Sequence, residues 1–153
     1  MRVWRLLKTR FAKTVFDGEG PRLYGGRWNS VGIRMAYASS SSALAVLEVL
    51  VRLENPAPLP SYSMVVASVP DDLVEDLDVT LLPAHWSTSP VPPETQAIGD
   101  EWVRSGRSLV LRVPGAVVTH ANNLLINPEH PDFRRFGVES IDPFTFDPRL
   151  VPV

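Results

Sequence analysis

The stretch RLYGGRWNS, residues 22 to 30, sets Arg22, Tyr24, Arg27, Trp28 and Asn29 around the Gly25-Gly26 pair. Glycines let a backbone turn sharply or approach a ligand closely, and an arginine beside such a turn offers an anion a planar fork of donors. A hairpin turn with solvated charges would use the same residues and do no chemistry, so the rest of the chain has to decide. Three further polar residues stand in apolar surroundings: Arg5 in VWRLL, Tyr37 in RMAYAS and Glu48 in ALAVLEVLV. With Arg27 they supply an anion clamp, a stacking surface and a carboxylate, which is the set that chemistry on a dinucleotide needs. Each has a plain structural reading as well. Arg5 fits an edge-strand charge and Tyr37 fits core packing, while Glu48 fits an i,i+4 pair with Arg52, worth about 0.3 to 0.5 kcal/mol if exposed.

Other chemistries find no support. His85, His120 and His130 lack HExxH spacing and the chain has no cysteine, so disulfides, thiolate catalysis and Cys-ligated zinc are excluded and no metal is expected. Neither GxSxG nor SxxK occurs, and there is no Walker-type GxxxxGK[ST]. After Gly18 and Gly20 the third glycine of a dinucleotide fingerprint is replaced by Leu23, which argues against a Rossmann domain.

The elements that must position these residues are mixed in type. Residues 3 to 7 and 34 to 39 read as strands on either side of the glycine-bearing loop. Residues 39 to 56 read as a helix, capped by serines and stopped by Asn55-Pro56, and from Ala43 to Val51 only Glu48 is polar. A helix apolar all round is expected to be buried, which leaves Glu48 in a poor solvent and in need of a compensating partner or a cleft. Residues 62 to 69, 108 to 113 and 122 to 128 read as strands, 70 to 77 as a turn or short helix, and 95 to 106 as a helix ending at Gly106. The proline-rich segment 81 to 96 reads as a surface loop, and the tail from Ser140 as short extended pieces broken by prolines. Without a regular βαβ alternation, the class is α+β, a single domain spanning residues 1 to 153 with a mixed sheet at its core.

Charge is distributed unevenly. Residues 1 to 34 carry eight cations and two acids, whereas the remainder carries seven cations and fifteen acids. A local basic segment in an acidic chain suits a small phosphate-bearing ligand better than a long polyanion, so nucleic acid is not an expected partner. No apolar run reaches signal-peptide or membrane-spanning length, so no membrane association is expected and the cytoplasm is the expected location.

The ordered series WRL (4 to 6), GEGPRLYGGRWNSVG (18 to 32), AYASSSSALAVLEVLVRLE (36 to 54), RSLVLRVPG (107 to 115) and NNLLINPEHPDF (122 to 133) resembles the RES-domain toxins of bacterial type II toxin-antitoxin modules. That resemblance implies an α+β fold similar to the ADP-ribosyltransferase core of diphtheria-like toxins. It also implies consumption of NAD, by hydrolysis, phosphorolysis or ADP-ribosylation of a protein target. NAD is then the substrate and no further cofactor is implied. The implied partner is an Xre-like helical antitoxin whose end occludes the active site. By motif, the catalytic positions fall on Glu48, Arg27 and Tyr37, and the NAD-contacting ones on Arg5, Gly26, Arg27, Trp28, Asn29, Tyr37 and Ser108. The family serine that usually closes VPS is here Gly115, so either Ser108 or Ser42 takes its role or the serine is dispensable. A member without catalysis, kept as an antitoxin-binding module, is the alternative that Gly115 raises.

Overall fold

A seven-stranded mixed sheet, ordered β4-β5-β6-β2-β1-β3-β7, forms the frame. The computed structural model describes residues 1–54 and 60–151. In chain order these are β1 (Arg2–Lys8), α1 (Glu19–Tyr24), β2 (Ala36–Ser39), α2 (Ser42–Leu50), β3 (Tyr62–Ser68), β4 (Val74–Asp76), α3 (Pro93–Ser105), β5 (Val110–Pro114), β6 (Asn122–Ile126) and β7 (Gly137–Phe144). Only β4 and β5 run parallel; every other neighbouring pair is antiparallel. The α+β class expected from the sequence is what the chain adopts. No helix among the described residues is long and apolar enough to cross a membrane.

Alternation along the strands divides the core. Val3, Ala36, Ala38, Val65, Ala67, Leu124 and Ile126 face one side, where Val15 and Phe16 from the segment after β1 cover them. Leu111, Val113 and Leu125 face the other, under Trp28 and the α3 residue Trp102. A third cluster of Leu6, Ala45, Tyr62 and Phe146 seats α2.

One feature of the sheet positions the site. β1 pairs with β3 along seven consecutive residues but meets β2 at a single register pair, Trp4 with Ser39. Past that rung the two strands part, leaving Arg5 on one lip and Tyr37 on the other. A mixed sheet opened between two central strands exposes backbone groups and side chains that a closed sheet would pair off.

Several element boundaries differ from expectation for local reasons. The expected 39-to-56 helix is shortened at its start because Ser39 belongs to β2, and Ser41 caps the helix by accepting from the Leu44 N–H at 3.2 Å. It is also not buried all round: Leu44 and Ala45 are buried, whereas Leu47 and Val51 are exposed. The expected stop at Asn55-Pro56 lies outside the described residues. The loop after β1 contains the six-residue α1, which Gly20 and Pro21 disguise in the sequence. The tail holds an unbroken eight-residue strand, β7, through Pro143. Proline fits there because β7 is the outermost strand, and only one of its edges is paired.

Candidate functional site

The glycine loop is built by left-handed geometry at Gly25 (φ 71°) and by a tight approach at Gly26, where a Cβ would lie 2.6 Å from the Tyr37 hydroxyl. Asn29 locks the loop from inside. It is fully buried, and its Nδ2 donates to the carbonyls of Pro21 and Ile33 at 2.8 and 3.0 Å. Its Oδ1 accepts from the Tyr37 hydroxyl at 2.6 Å, and that hydroxyl accepts from the Trp28 N–H at 3.1 Å. Tyr37 therefore joins the far lip of the sheet opening to the loop. Burial pushes its phenol well above the ordinary value.

Helix α3 supports the loop from behind. The Gln96 amide donates to the carbonyls of Gly26 and Asn29 at 2.9 and 3.2 Å, and the Asp100 carboxylate accepts from the Ser30 N–H at 2.9 Å. Gly99 lies so close to the loop that a Cβ there would overlap the Trp28 carbonyl oxygen. Trp28 itself is core, stacked obliquely on Trp86 with ring centroids 5.6 Å apart.

Arg27 projects from this scaffold. One of its terminal nitrogens, Nη1, donates to the carbonyls of Trp86 and Thr88, both at 3.0 Å, which aims the guanidinium, and its other donors have no partner among the described residues. Arg5, on the opposite lip, donates from Nη1 to the Val15 carbonyl at 2.6 Å. Neither arginine forms an ion pair among the described residues. Burial lowers the pKa of both, that of Arg5 to about 10, so Arg5 stays charged at neutral pH in a site that disfavours an uncompensated cation. The Glu48 carboxylate partly offsets this for Arg27, and Asp17 does so for Arg5.

Glu48 lies in the last turn of α2, with its side chain 20% exposed. Its Oε1 accepts from Asn123 Nδ2 at 2.7 Å, and its Oε2 lies 3.8 Å from Arg52, which is 78% exposed. The i,i+4 pair expected from the sequence exists but is long and solvated, and the firm contact comes from β6.

Of the residues singled out in the sequence, Arg5, Arg27, Tyr37 and Glu48 gather around the opening, with charges close enough to act on one another. Gly26, Trp28 and Asn29 support the loop. Ser108 is placed elsewhere. It lies just before β5, whose Val110 pairs with Ile126, the end of the sheet opposite the Ser39-Asn123 rung. Its hydroxyl accepts from Trp102 Nε1 at 2.8 Å and donates to Glu75 at 3.0 Å, so it joins α3 to β4 and not the opening. Ser42 is exposed in the first turn of α2. Sequence reasoning missed Asn123 and Ser39, together with the anchors Trp86, Thr88, Gln96 and Asp100. The doubled asparagine at the start of NNLLIN was the one local sign, since asparagine is poor in strands.

Fold and site together define a class: an α+β domain whose opened sheet sets two arginines, without ion-pair partners among the described residues, a tyrosine and a carboxylate around a gap. The RES domain family model matches residues 2–147, and the chain belongs to that family. It is 36% identical over 154 residues to the protein named Toxin Res of Photorhabdus laumondii, covering 99% of this chain and 97% of that one. It is 38% identical over 139 residues to the Prs ADP-ribosylating toxin of a Sphingobium species, covering 88% of this chain and 86% of that one. Its fold is shared with a chain of the M. tuberculosis MbcT-MbcA toxin-antitoxin complex, with a TM-score of 0.77 at 18% identity over 94% of this chain and 84% of that one.

Proposed function

We propose that this chain is the toxin of a toxin-antitoxin pair and that its cleft breaks the nicotinamide-ribosyl bond of NAD, with water or inorganic phosphate as acceptor. The observation that carries the reading is the pair of arginines, Arg5 and Arg27, with no ion-pair partner among the described residues, on the two lips of an opening beside Glu48. A pyrophosphate held by charge-assisted bonds to both would relieve the cost of keeping them charged and desolvated. As the C–N bond breaks, its electron pair leaves with nicotinamide and positive charge develops on the ribose. Glu48 stabilises that charge, the acceptor oxygen forms the new bond, and its proton passes to solvent. Tyr37, whose hydroxyl is committed to the loop, contributes its ring as a wall of the nicotinamide site. Neither a metal nor a cofactor beyond NAD itself enters the reading.

The relatives named Toxin Res support the toxin role, and the likeness to a chain of a toxin-antitoxin complex supports an antitoxin as partner. We take that partner to be an Xre-like protein that occludes the cleft in the cytoplasm. A second reading, ADP-ribosyl transfer to a protein target, is favoured by the likeness to the Prs ADP-ribosylating toxin. The test is nicotinamide release from NAD by the purified chain, with and without phosphate. Arg27→Ala should raise KM, and Glu48→Gln should reduce kcat by about 100-fold or more with little change in KM. Release that requires an added protein, with label transferred to it, would select the transferase. Wild-type turnover in Glu48→Gln would remove Glu48 from the chemistry. No release under any condition would leave the chain as an antitoxin-binding module.

A further inference from the structure

Glu48 sits where its own helix does little for it. It lies in the last turn of α2, where the unsatisfied carbonyls and the negative end of the helix dipole disfavour a carboxylate. Its ion pair with Arg52, two residues past the helix end, is 3.8 Å long and mostly in solvent. The short contact comes from outside, from Asn123 Nδ2 at 2.7 Å. A carboxylate oxygen that accepts must face the NH2 end of the amide, which turns Asn123 Oδ1 the other way, toward Ser39. There the buried Ser39 hydroxyl donates to it at 3.0 Å. The bonding order is therefore forced: Ser39 to Asn123 to Glu48.

The location of this chain of bonds matters as much as its polarity. Ser39 and Asn123 are register partners on β2 and β6, and Ser39 is also the residue at which β2 meets Trp4 of β1. The relay thus lies on the last closed rung of the sheet, at the edge of the opening. A strand-borne amide holds a geometry more firmly than the end of a short helix does. We propose that Asn123, its amide oriented by Ser39, is a positioning residue that fixes Glu48 Oε1 and leaves Oε2 presented to the substrate. The catalytic consequence rests on the NAD-cleaving reading; the geometry does not.

Asn123→Asp keeps the side-chain shape but sets a second carboxylate against Glu48. In that variant kcat should fall on the order of 100-fold while KM stays within about twofold, because the reacting carboxylate is displaced and the arginine clamp is not. Ser39→Ala, which frees the amide to rotate, should produce a smaller fall in kcat. Thermal melting supplies a readout independent of activity. Asn123→Asp should lower Tm, and adding Glu48→Gln should restore it, since the introduced amide then donates to the introduced carboxylate and the bond is remade with its ends exchanged. Additive Tm changes across this cycle, or a wild-type kcat in Asn123→Asp, would overturn the proposal. A wild-type chain that releases no nicotinamide yet shows the non-additive Tm cycle would overturn the NAD reading and support the Asn123-Glu48 geometry.

Discussion

At the scale of single residues, the site is made of groups that are costly to keep and whose cost points to use. Tyr37 illustrates how such a cost can be measured. Its hydroxyl both accepts from Trp28 and donates to Asn29, and burial raises its pKa above the ordinary 10.0. Below that value the phenol is neutral in folded and unfolded chains alike. Above it, the unfolded chain loses the proton while the folded chain resists, so the unfolded state binds fewer protons and stability falls as pH rises. The expected outcome is a steeper loss of unfolding free energy as pH rises above about 10 in the wild type than in Tyr37→Phe, followed by urea denaturation. Every other titrating group is common to both chains, so equal slopes would mean that the phenol is not held in its neutral form. Arg5 does not produce this loss, because a cation whose pKa is lowered by folding makes stability rise across the same range.

At the scale of elements, what was legible in the sequence depended on how local each cause was. Arg5, Arg27, Tyr37 and Glu48 stood out because a polar residue in an apolar or glycine-rich run is visible within a few positions. Asn123 did not, because the group it serves is 75 residues away and only the β2-β6 register brings the two together. Strand content was readable from apolar runs, but the start of α2 was not, since Ser39 could cap a helix or end a strand and sheet pairing settled which. The single-rung meeting of β1 and β2 has no sequence signature at all. Gly115 shows the same limit. The resemblance marks it as a missing serine, yet a Cβ there would lie 2.9 Å from the Val118 carbonyl oxygen and 3.0 Å from that of Ala121. Those atoms belong to the turn that returns the chain to β6, closed by the Gly115 N–H donating to Ala121 at 2.8 Å. Gly115→Ser should therefore cost about 1 to 3 kcal/mol, read as a lower urea midpoint at unchanged slope, without raising turnover. A serine variant of unaltered stability and higher turnover would show that the turn yields and that the serine belongs to the reaction.

At the scale of the whole molecule, the uneven charge seen in the sequence resolves into two populations. Arg2 of the basic N-terminal segment is bound to Glu139, while Arg22 and Arg34 share Glu19, with Glu129 3.9 Å from Arg34, so these three are part of the fold's surface pairing. Arg5, Lys8, Arg10, Lys13 and Arg27 have no carboxylate within ion-pair distance among the described residues. The folded chain is acidic overall, with a net charge of -2, but its N-terminal segment carries these cations to both lips of the opening, Arg5 on β1 and Arg27 on the loop bonded to Tyr37. Such a field would draw the anionic substrate of the proposed function toward the opening and is screened by salt over a Debye length of about 10 Å at 0.1 M. On the proposed NAD-cleaving function, raising ionic strength from about 0.05 to about 0.5 M should therefore raise KM for NAD several-fold while leaving kcat nearly constant, because in that reading the clamp and the field act on a charged pyrophosphate and Glu48 acts on the ribose. In Lys8→Gln/Lys13→Gln, which leaves Arg5 and Arg27 in place, the salt dependence should become shallower at an unchanged kcat. A KM independent of salt in the wild type would mean that the free cations do not guide the substrate, and would leave them to an anionic protein partner.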